Sequence, residues 1–365
     1  MDLYWIWLTL IKGLGPVTQK ILLSHFQTPE NIYHSSTLEL INIPKLNKNL
    51  NAEIKDPNYL EKAKIIWAQT QKLNIKLLKM NSPEYPPHLK EIRDFPLLLY
   101  YRSNSGLKSG GVGIVGSRRC TDYGKRVATE AAEFLAHHQV PVISGLAKGI
   151  DGYAHTACLK AGGYTIAFVA HGLDICYPSE QRSLRDAIIE NGAVISEYPP
   201  GVRPSRNYFP RRNHLISAWL DKLLVVEAAK NSGTLITAHR ARELGKEVYA
   251  VPNNIYQTES KGTNRLIQEG AKIYLEKDQL LPSGLDSPSL EQETDPKENI
   301  LPRPKKVPLE GTAEKIYQAL ETPKRPEELL PLVEGEFSKL TAILSSLELQ
   351  GYIQILPGNL ISRCP

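Results

Sequence analysis

The stretch GIVGSRRCTDYG, Gly113 to Gly124, decides the fold, because it is typical of a strand that turns directly into a helix. Together with Gly111 it contains GVGIVG, a G-x-G-x-x-G pattern. In a dinucleotide fingerprint the strand ends at the first glycine and the helix begins near the third. Here a polar loop precedes Gly111 and the apolar residues 112–115 are the strand itself, so only Gly116 lies at the carboxyl end of the strand.

This register argues against a dinucleotide cofactor. The next predicted strand ends in Ser144-Gly145, whereas a dinucleotide site would have an acidic residue there to hold a ribose hydroxyl. We therefore expect no cofactor. What remains is a loop over residues 116–119 before a helix that begins near Thr121 or Asp122. Helix N-termini at the carboxyl ends of parallel strands attract anions, so the sequence predicts a phosphate site at this loop.

The fold class follows from an alternation of strands and helices after about residue 97. Eight short β-rich runs occur there: LLLY, VGIV, VPVIS, YTIAFVA, AVIS, KLLVVEA, EVYAVP and AKIYL. Helical periodicity separates most of them, as in residues 122–138 and 234–244. Strands that are apolar throughout and alternate with helices predict an α/β fold with a mostly parallel sheet covered by helices on both faces.

The flanking segments predict two smaller domains. Residues 1–80 read as helices on either side of Gly13-Leu14-Gly15-Pro16, either a helix-hairpin-helix that contacts DNA or a tight turn in a packing domain. Residues 82–280 form the core, and the Pro- and Ser-rich residues 281–308 form a linker. Residues 309–365 predict three helices and a hairpin around Pro357-Gly358, which together make a winged helix.

Composition and charge narrow the class of protein. The formal net charge of +5 is uneven, since residues 101–280 carry 23 basic and 17 acidic side chains and residues 309–365 carry 5 and 8. The acidic winged-helix segment therefore favours a protein partner over DNA. Four scattered cysteines and the adjacent His137-His138 pair favour neither disulfides nor a metal site. No apolar run reaches the roughly 18 to 20 residues of a membrane span, so we expect a soluble chain, and the scattered cysteines fit a reducing cytoplasm.

Two further strand ends repeat the pattern of the first loop. Residues 144–151, SGLAKGID, follow one strand, and residues 231–234, NSGT, follow another immediately before a helix. A single such turn is ordinary helix capping. Three on one edge of a sheet predict an elongated phosphate-binding face.

A basic and aromatic segment lies between these turns. Residues 198–220, YPPGVRPSRNYFPRRNHLISAWL, contain no acidic side chain but carry Arg203, Arg206, Arg211 and Arg212 together with Phe209. Cations mixed with aromatic rings suit a single-stranded nucleic acid, in which phosphates are neutralised and exposed bases stack. The alternative is a solvated basic loop, with Phe209 and Trp219 buried as core anchors, and we expect Trp219 to be buried in either case. The absence of partner acids favours nucleic-acid binding.

Taken in chain order, these segments closely resemble the DNA-processing protein A family. The matching segments are IVGSR (114–118), SGLAKGID (144–151), GLDICYP (172–178), SEYP (196–199), FPRRN (209–213), VVEA (225–228), SGTLITA (232–238) and LIQEGA (266–271). They run through roughly residues 82–275. The helical N-terminal segment and the C-terminal winged helix also agree with the layout of that family.

The resemblance implies a Rossmann-like core that binds single-stranded DNA, forms a homodimer and helps to load the RecA recombinase onto incoming strands during natural transformation. A single-strand-binding protein is a further candidate partner. The family has no established catalytic reaction, so the resemblance implies no enzyme. The nucleic-acid-binding residues implied here are Gly116, Ser117, Arg118, Ser144, Gly145, Lys148, Phe209, Arg211, Arg212, Asn213, Ser232, Gly233 and Thr234.

Three positions depart from the family pattern. His214 stands where a second arginine is usual, Ser179 where many relatives have a lysine, and Asn253 where a glycine follows the proline. The loss of two cations predicts weaker DNA binding, for which Arg182 and Arg211 are candidate replacements.

Two other functions compete with DNA binding. The first is hydrolysis: nucleotide phosphoribohydrolases of the lysine-decarboxylase-like fold have a catalytic glutamate where this chain has Thr237. A threonine cannot act as a general base, so the sequence argues against this enzyme class. The second is an adaptor protein, in which the sheet edge has only a structural role and the terminal domains bind partner proteins. Binding of single-stranded DNA through phosphates should weaken steeply with salt, whereas a flat salt response would favour the adaptor.

Overall fold

The structure, a computed structural model, describes residues 2–43, 46, 48–282, 309–356 and 360–364. Residues 283–308 of the predicted linker and the predicted turn at Pro357-Gly358 lie outside the described residues. No helix within the described ranges combines the length and the apolar character that crossing a lipid bilayer requires.

A large sheet organises the core. Its strands are β1 (Lys76–Lys79), β2 (Leu98–Arg102), β3 (Val112–Val115), β4 (Val142–Ser144), β5 (Thr165–Val169), β6 (Gly192–Ser196), β7 (Lys222–Val225), β8 (Glu247–Ala250) and β9 (Lys272–Ile273). In space they follow the order β1-β2-β6-β5-β4-β3-β7-β8-β9. The pairings from β6 to β9 are parallel, and β1 and β2 pair antiparallel at one edge. The predicted α/β fold with a mostly parallel sheet is confirmed.

Helices precede, separate and follow these strands. The N-terminal helices are α1 (Asp2–Leu10), α2 (Pro16–Phe26), α3 (Pro29–His34), α4 (Thr37–Ile41), α5 (Lys48–Lys55) and α6 (Asn58–Lys72). The core helices are α7 (Pro87–Glu91), α8 (Asp122–His137), α9 (Ile150–Lys160), α10 (Arg182–Asn191), α11 (Tyr208–Trp219), α12 (Gly233–Glu243) and α13 (Lys261–Gln268). The C-terminal elements are α14 (Gly311–Ala319), α15 (Pro326–Leu329), α16 (Phe337–Leu349) and the hairpin β10 (Ile353–Leu356) with β11 (Leu360–Arg363).

Both faces of the sheet are covered, as the apolar strands require. On one face α11, α12 and α13 pack on side chains such as Phe168 and Val225, and Trp219 is fully buried there, as the sequence predicts. On the other face α8 and α9 cover β3, β4 and β7. The N-terminal helices and α10 cover β2, β5 and β6 on that same face. Because helices cover both faces, the loops lie at the ends of the strands.

The sheet begins earlier in the chain than the sequence predicts. Residues 76–79 lie within the predicted helical segment 1–80, but they form β1 and pair with residues 98–101. The four residues KLLK are too few to show the alternation of polar and apolar side chains that indicates a strand, so only the pairing with β2 identifies them as one. The helices around Gly13 are present, and the Lys20 ammonium donates to the carbonyls of Lys90 and Ile92. This use of Lys20 favours packing over DNA contact at that turn.

The C-terminal segment has a hydrophobic core of its own. Helices α14, α15 and α16 enclose buried residues such as Ile316 and Leu340, and Lys324 bridges to Ile361 of the hairpin. The order of three helices and a hairpin is the order expected of a winged helix, an assignment that stays a prediction. Helix α16 lies against α10, and Glu348 forms an ion pair of 3.3 Å with Lys160 of α9.

Candidate functional site

The candidate site lies where the order of the strands reverses. From β3 the chain adds β4, β5 and β6 successively on one side, and it then returns to place β7 on the other side of β3. At such a switch point the loops after two neighbouring parallel strands run in opposite directions and leave a crevice, which is where open α/β sheets bind ligands. A cavity of about 460 Å³ occupies this position between the loops that follow β3 and β7.

The cavity gathers most of the predicted site from three separate segments of the chain. Nine of the thirteen predicted residues line it: Gly116, Ser117, Arg118, Phe209, Arg212, Asn213, Ser232, Gly233 and Thr234. The turn after β4 contributes Ala147, and the first turn of α9 contributes Asp151. The other four predicted residues do not line the cavity.

Hydrogen bonds hold the loops of the cavity together. The Thr234 hydroxyl donates to the Gly116 carbonyl at 3.2 Å and ties α12 to the loop after β3. The Asn213 amide donates to the Gly233 carbonyl at 3.2 Å and ties α11 to the same helix start. Ser232 caps α12 by accepting from the Thr234 N–H at 3.2 Å. The open N–H end of α12 is therefore fixed at the cavity, where it favours an anion.

The loop after β3 requires glycine at its first position because other groups approach it closely. A Cβ on Gly116 would lie 2.6 Å from the side chain of Ile150 and 3.1 Å from the Glu227 carbonyl oxygen. Any side chain would push the loop outward, away from α9 and β7. Gly116 therefore allows the backbone to pass close to the floor of the cavity.

A buried carboxylate anchors the far end of this loop. Glu227 is fully buried at the end of β7 and accepts hydrogen bonds from the N–H of Thr121, at 3.0 Å, and from the Thr121 hydroxyl. The Thr121 hydroxyl also caps α8 by accepting from the Gly124 N–H at 3.2 Å. Residues 116–121 are thus held at both ends, and Glu227 acts as a hydrogen-bonding anchor at the end of β7.

Two arginines of the loop are available to a ligand. Arg118 and Arg119 are both exposed, and neither forms an ion pair with any residue in the described ranges. The Arg118 guanidinium lies 5.5 Å from the centroid of the Phe209 ring, a cation–π arrangement that positions it over the cavity. An exposed guanidinium without an acidic partner is a planar fork suited to a phosphate.

Arg212 has a different role from the one that the sequence predicts. It is 6% exposed, and its guanidinium donates to the carbonyls of Gly145 and of Phe168, the latter at 3.1 Å. A Cβ on Gly145 would overlap this guanidinium, so glycine makes room for it. Burial raises the pKa of the nearby Asp151 carboxyl, while the Arg212 charge and the N–H groups of Ala147 and Gly145 oppose that shift. Arg212 therefore serves mainly to fasten α11 to the ends of β4 and β5.

Of the remaining four predicted residues, Gly145 lies against the Arg212 guanidinium, and the other three have partners outside the cavity. Arg211 forms an ion pair with Glu197 and points into a neighbouring pocket, and Lys148 pairs with Glu180 at 2.7 Å. The Ser144 hydroxyl is buried and donates to the Ile114 carbonyl at 2.6 Å. The sequence interpretation that Arg211 and Arg212 lack structural partners is wrong, because their partners are a distant glutamate and two strand-end carbonyls.

Similarity to known proteins agrees with this arrangement. The family described as DNA recombination-mediator protein A matches residues 76–283, more than half of the chain. The chain belongs to this family. It is 33% identical to the protein Smf of Synechocystis over 99% of this chain and 98% of that protein. The resemblance to the DNA-processing protein A family is therefore confirmed.

Solved structures of this family share the fold. The X-ray structure of DNA processing protein A from Streptococcus pneumoniae superposes with a TM-score of 0.62 and 33% identity, over 76% of this chain and 96% of that one. DNA processing protein A from Helicobacter pylori, whose structure gives insight into a single-stranded DNA binding mode, superposes with a TM-score of 0.51 and 28% identity. That match covers 56% of this chain and 93% of the Helicobacter pylori chain.

This member of the recombination-mediator family has cavity residues that the sequence prediction missed. Arg119 and Asn231 lie in the two loops that the sequence singles out, and both line the cavity although only their neighbours were predicted. Their positions in these loops would have been enough to predict that both residues line the cavity. Glu259 also lines the cavity from the segment after β8, and only the sheet order, which sets β8 beside β7, brings it there.

We expect Thr121→Val to lower the free energy of unfolding by about 2 kcal/mol, because the change removes both a helix cap and a donor to a buried carboxylate. Urea denaturation followed by circular dichroism measures the difference. Thr37→Val, at an exposed threonine of α4, is the matched control and should change stability little. Equal stabilities of the Thr121→Val variant and the parent chain would contradict the anchoring role of Glu227.

Proposed function

We propose that this chain binds single-stranded DNA at the switch-point cavity and thereby protects incoming strands and loads the RecA recombinase onto them during natural transformation. The observation that carries the proposal is Arg118, an exposed guanidinium free of acidic partners in the described residues that lies over the Phe209 ring beside the N-terminus of α12. Family membership supports it, and so does the single-stranded DNA binding described for the Helicobacter pylori relative.

The chemistry of the cavity suits one nucleotide unit of an unpaired strand. A phosphate bound near Ser117 would meet the Arg118 guanidinium and the open N–H end of α12. The half-buried Phe209 ring and the neighbouring Tyr177 ring, 6.2 Å between centroids, offer an aromatic surface to an exposed base. A duplex keeps its bases stacked on one another and cannot use such rings, which favours single strands.

Partners other than DNA follow from the family resemblance. We propose a homodimer, RecA and a single-strand-binding protein as partners, without assigning their contact surfaces. The proposed role needs no reaction at the cavity. Thr237, at the position where related hydrolases have a glutamate, supplies no carboxylate, and the buried Asp151 accepts hydrogen bonds from backbone N–H groups.

Salt dependence tests the proposal. We expect the affinity for a short oligothymidylate to fall with salt on a log–log slope of about −0.7 for each phosphate contacted, hence about −2 or steeper for three contacts. Fluorescence anisotropy over a salt series measures the slope, and a duplex of equal length is the control and should bind more weakly. A flat salt response, or equal affinity for the duplex, would favour an adaptor protein over a single-strand binder.

A further inference from the structure

A second depression adjoins the switch-point cavity. Its volume is about 360 Å³, and it lies across the turn Asn231–Gly233. The two depressions share Asn231, Ser232 and Gly233, so this turn is a ridge between them. A ligand that leaves the first cavity over the ridge therefore enters the second depression directly.

The second depression has an apolar floor and a polar rim. Leu235, Leu266 and Ile236 contribute the apolar part; Leu266 is buried, whereas Ile236, on α12, is 50% exposed. The half-exposed aliphatic side chain of Ile236 offers contact area to a flat apolar ring face.

The charges at the rim favour a single anionic group. Arg265 forms an ion pair of 2.7 Å with Glu269, and the His239 ring lies 3.9 Å from the same carboxylate, so Glu269 already neutralises the charge of Arg265. Lys230 also lines the depression, is exposed, and forms no ion pair with any described residue. One uncompensated ammonium beside an apolar floor matches the chemistry of one phosphate next to one base.

We propose that the second depression is a nucleotide subsite for the same unpaired DNA strand, in which Lys230 contacts a phosphate and Ile236 contacts the adjacent base. The inference rests on the proposed function of the first cavity, since continuity across the Asn231–Gly233 ridge identifies the occupant. A free phosphate would leave the apolar floor unused, and a nonpolar peptide would leave Lys230 unused. An extended strand uses both.

A length series of oligothymidylates tests the proposal in the full chain. With Lys230→Ala we expect unchanged affinity for the shortest oligonucleotides that bind, and about fivefold weaker binding of longer ones. The log–log salt slope for the longer ones should also become shallower by about 0.7. Lys72→Ala, at an exposed lysine of α6, changes the net charge equally and is the control.

Base contact is tested separately with Ile236→Ser. Replacing the added nucleotides by abasic units should weaken binding to the parent chain by about threefold and leave binding to the variant unchanged. A Lys230→Ala effect that is equal at all lengths, or absent at all lengths, would overturn the second subsite while leaving the first intact. Failure of the parent chain to bind any oligothymidylate would instead overturn the proposed function, and the subsite with it.

Discussion

Arg118→Ala should weaken the binding of single-stranded DNA by about tenfold or more and leave the free energy of unfolding within about 0.5 kcal/mol of the parent value. The guanidinium is exposed and forms no ion pair within the described part of the chain, so folding gains little from it. A phosphate would gain a charge-assisted, planar contact from the same group, and a loss of about 1.4 kcal/mol in binding is a tenfold loss in affinity.

Anisotropy titration with oligothymidylate, together with urea denaturation of the same samples, measures both quantities for Arg118→Ala. Arg102→Ala is the matched control, because Arg102 ends β2, which lies four strands away from β3 in the sheet, and the substitution changes the net charge equally. Arg118→Lys should give an intermediate affinity, since lysine keeps the charge and loses the fork. Full affinity in Arg118→Ala would remove the loop after β3 from the binding site.

Arg212→Ala should lower the free energy of unfolding by about 3 to 5 kcal/mol. The substitution leaves the Gly145 and Phe168 carbonyls without this buried donor and deprives the buried Asp151 carboxyl of a nearby positive charge. It also empties the volume that the guanidinium fills beside Gly145.

The adjacent arginine is the natural control for this prediction. Arg211→Ala breaks a half-exposed ion pair with Glu197 and should cost about 0 to 1 kcal/mol. Urea denaturation of both variants measures the contrast, and size-exclusion chromatography reports whether Arg212→Ala remains folded. Similar small losses in the two variants would mean that water satisfies the carbonyls around Arg212, contrary to the fastening role described above.

The amino-acid composition of a segment does not distinguish exposed from buried arginines. Arg211 and Arg212 occupy successive positions in a segment without acidic residues, and the sequence predicts the same nucleic-acid-binding role for both. Successive residues of a helix point about 100° apart, so α11 directs one side chain outward and the other into the core. Which direction is inward depends on how α11 packs on β4 and β5, and the segment itself does not contain that information.

The sequence by itself determined the features that depend on chain neighbours: the alternation of apolar strands with helices, the buried Trp219, and the Gly-Ser-rich turns after β3 and β7. Strand and helix periodicities act within a few residues, and capping side chains reach only their own helix, so these signals are local. The motifs of the family sit on the same turns and were equally readable.

Only the tertiary structure decided the order of the strands, and with it the position of the site. Pairing β7 beside β3 creates the switch point, brings Glu259 to the cavity and leaves Arg118 exposed there while Arg212 is buried. The same kind of pairing turned residues 76–79 into an edge strand. The β3–β7 pairing joins residues 110 positions apart, such as Val112 and Lys222, and the β1–β2 pairing joins residues 19 to 25 positions apart. The energies of these contacts depend on which surfaces meet, a property that no local pattern records.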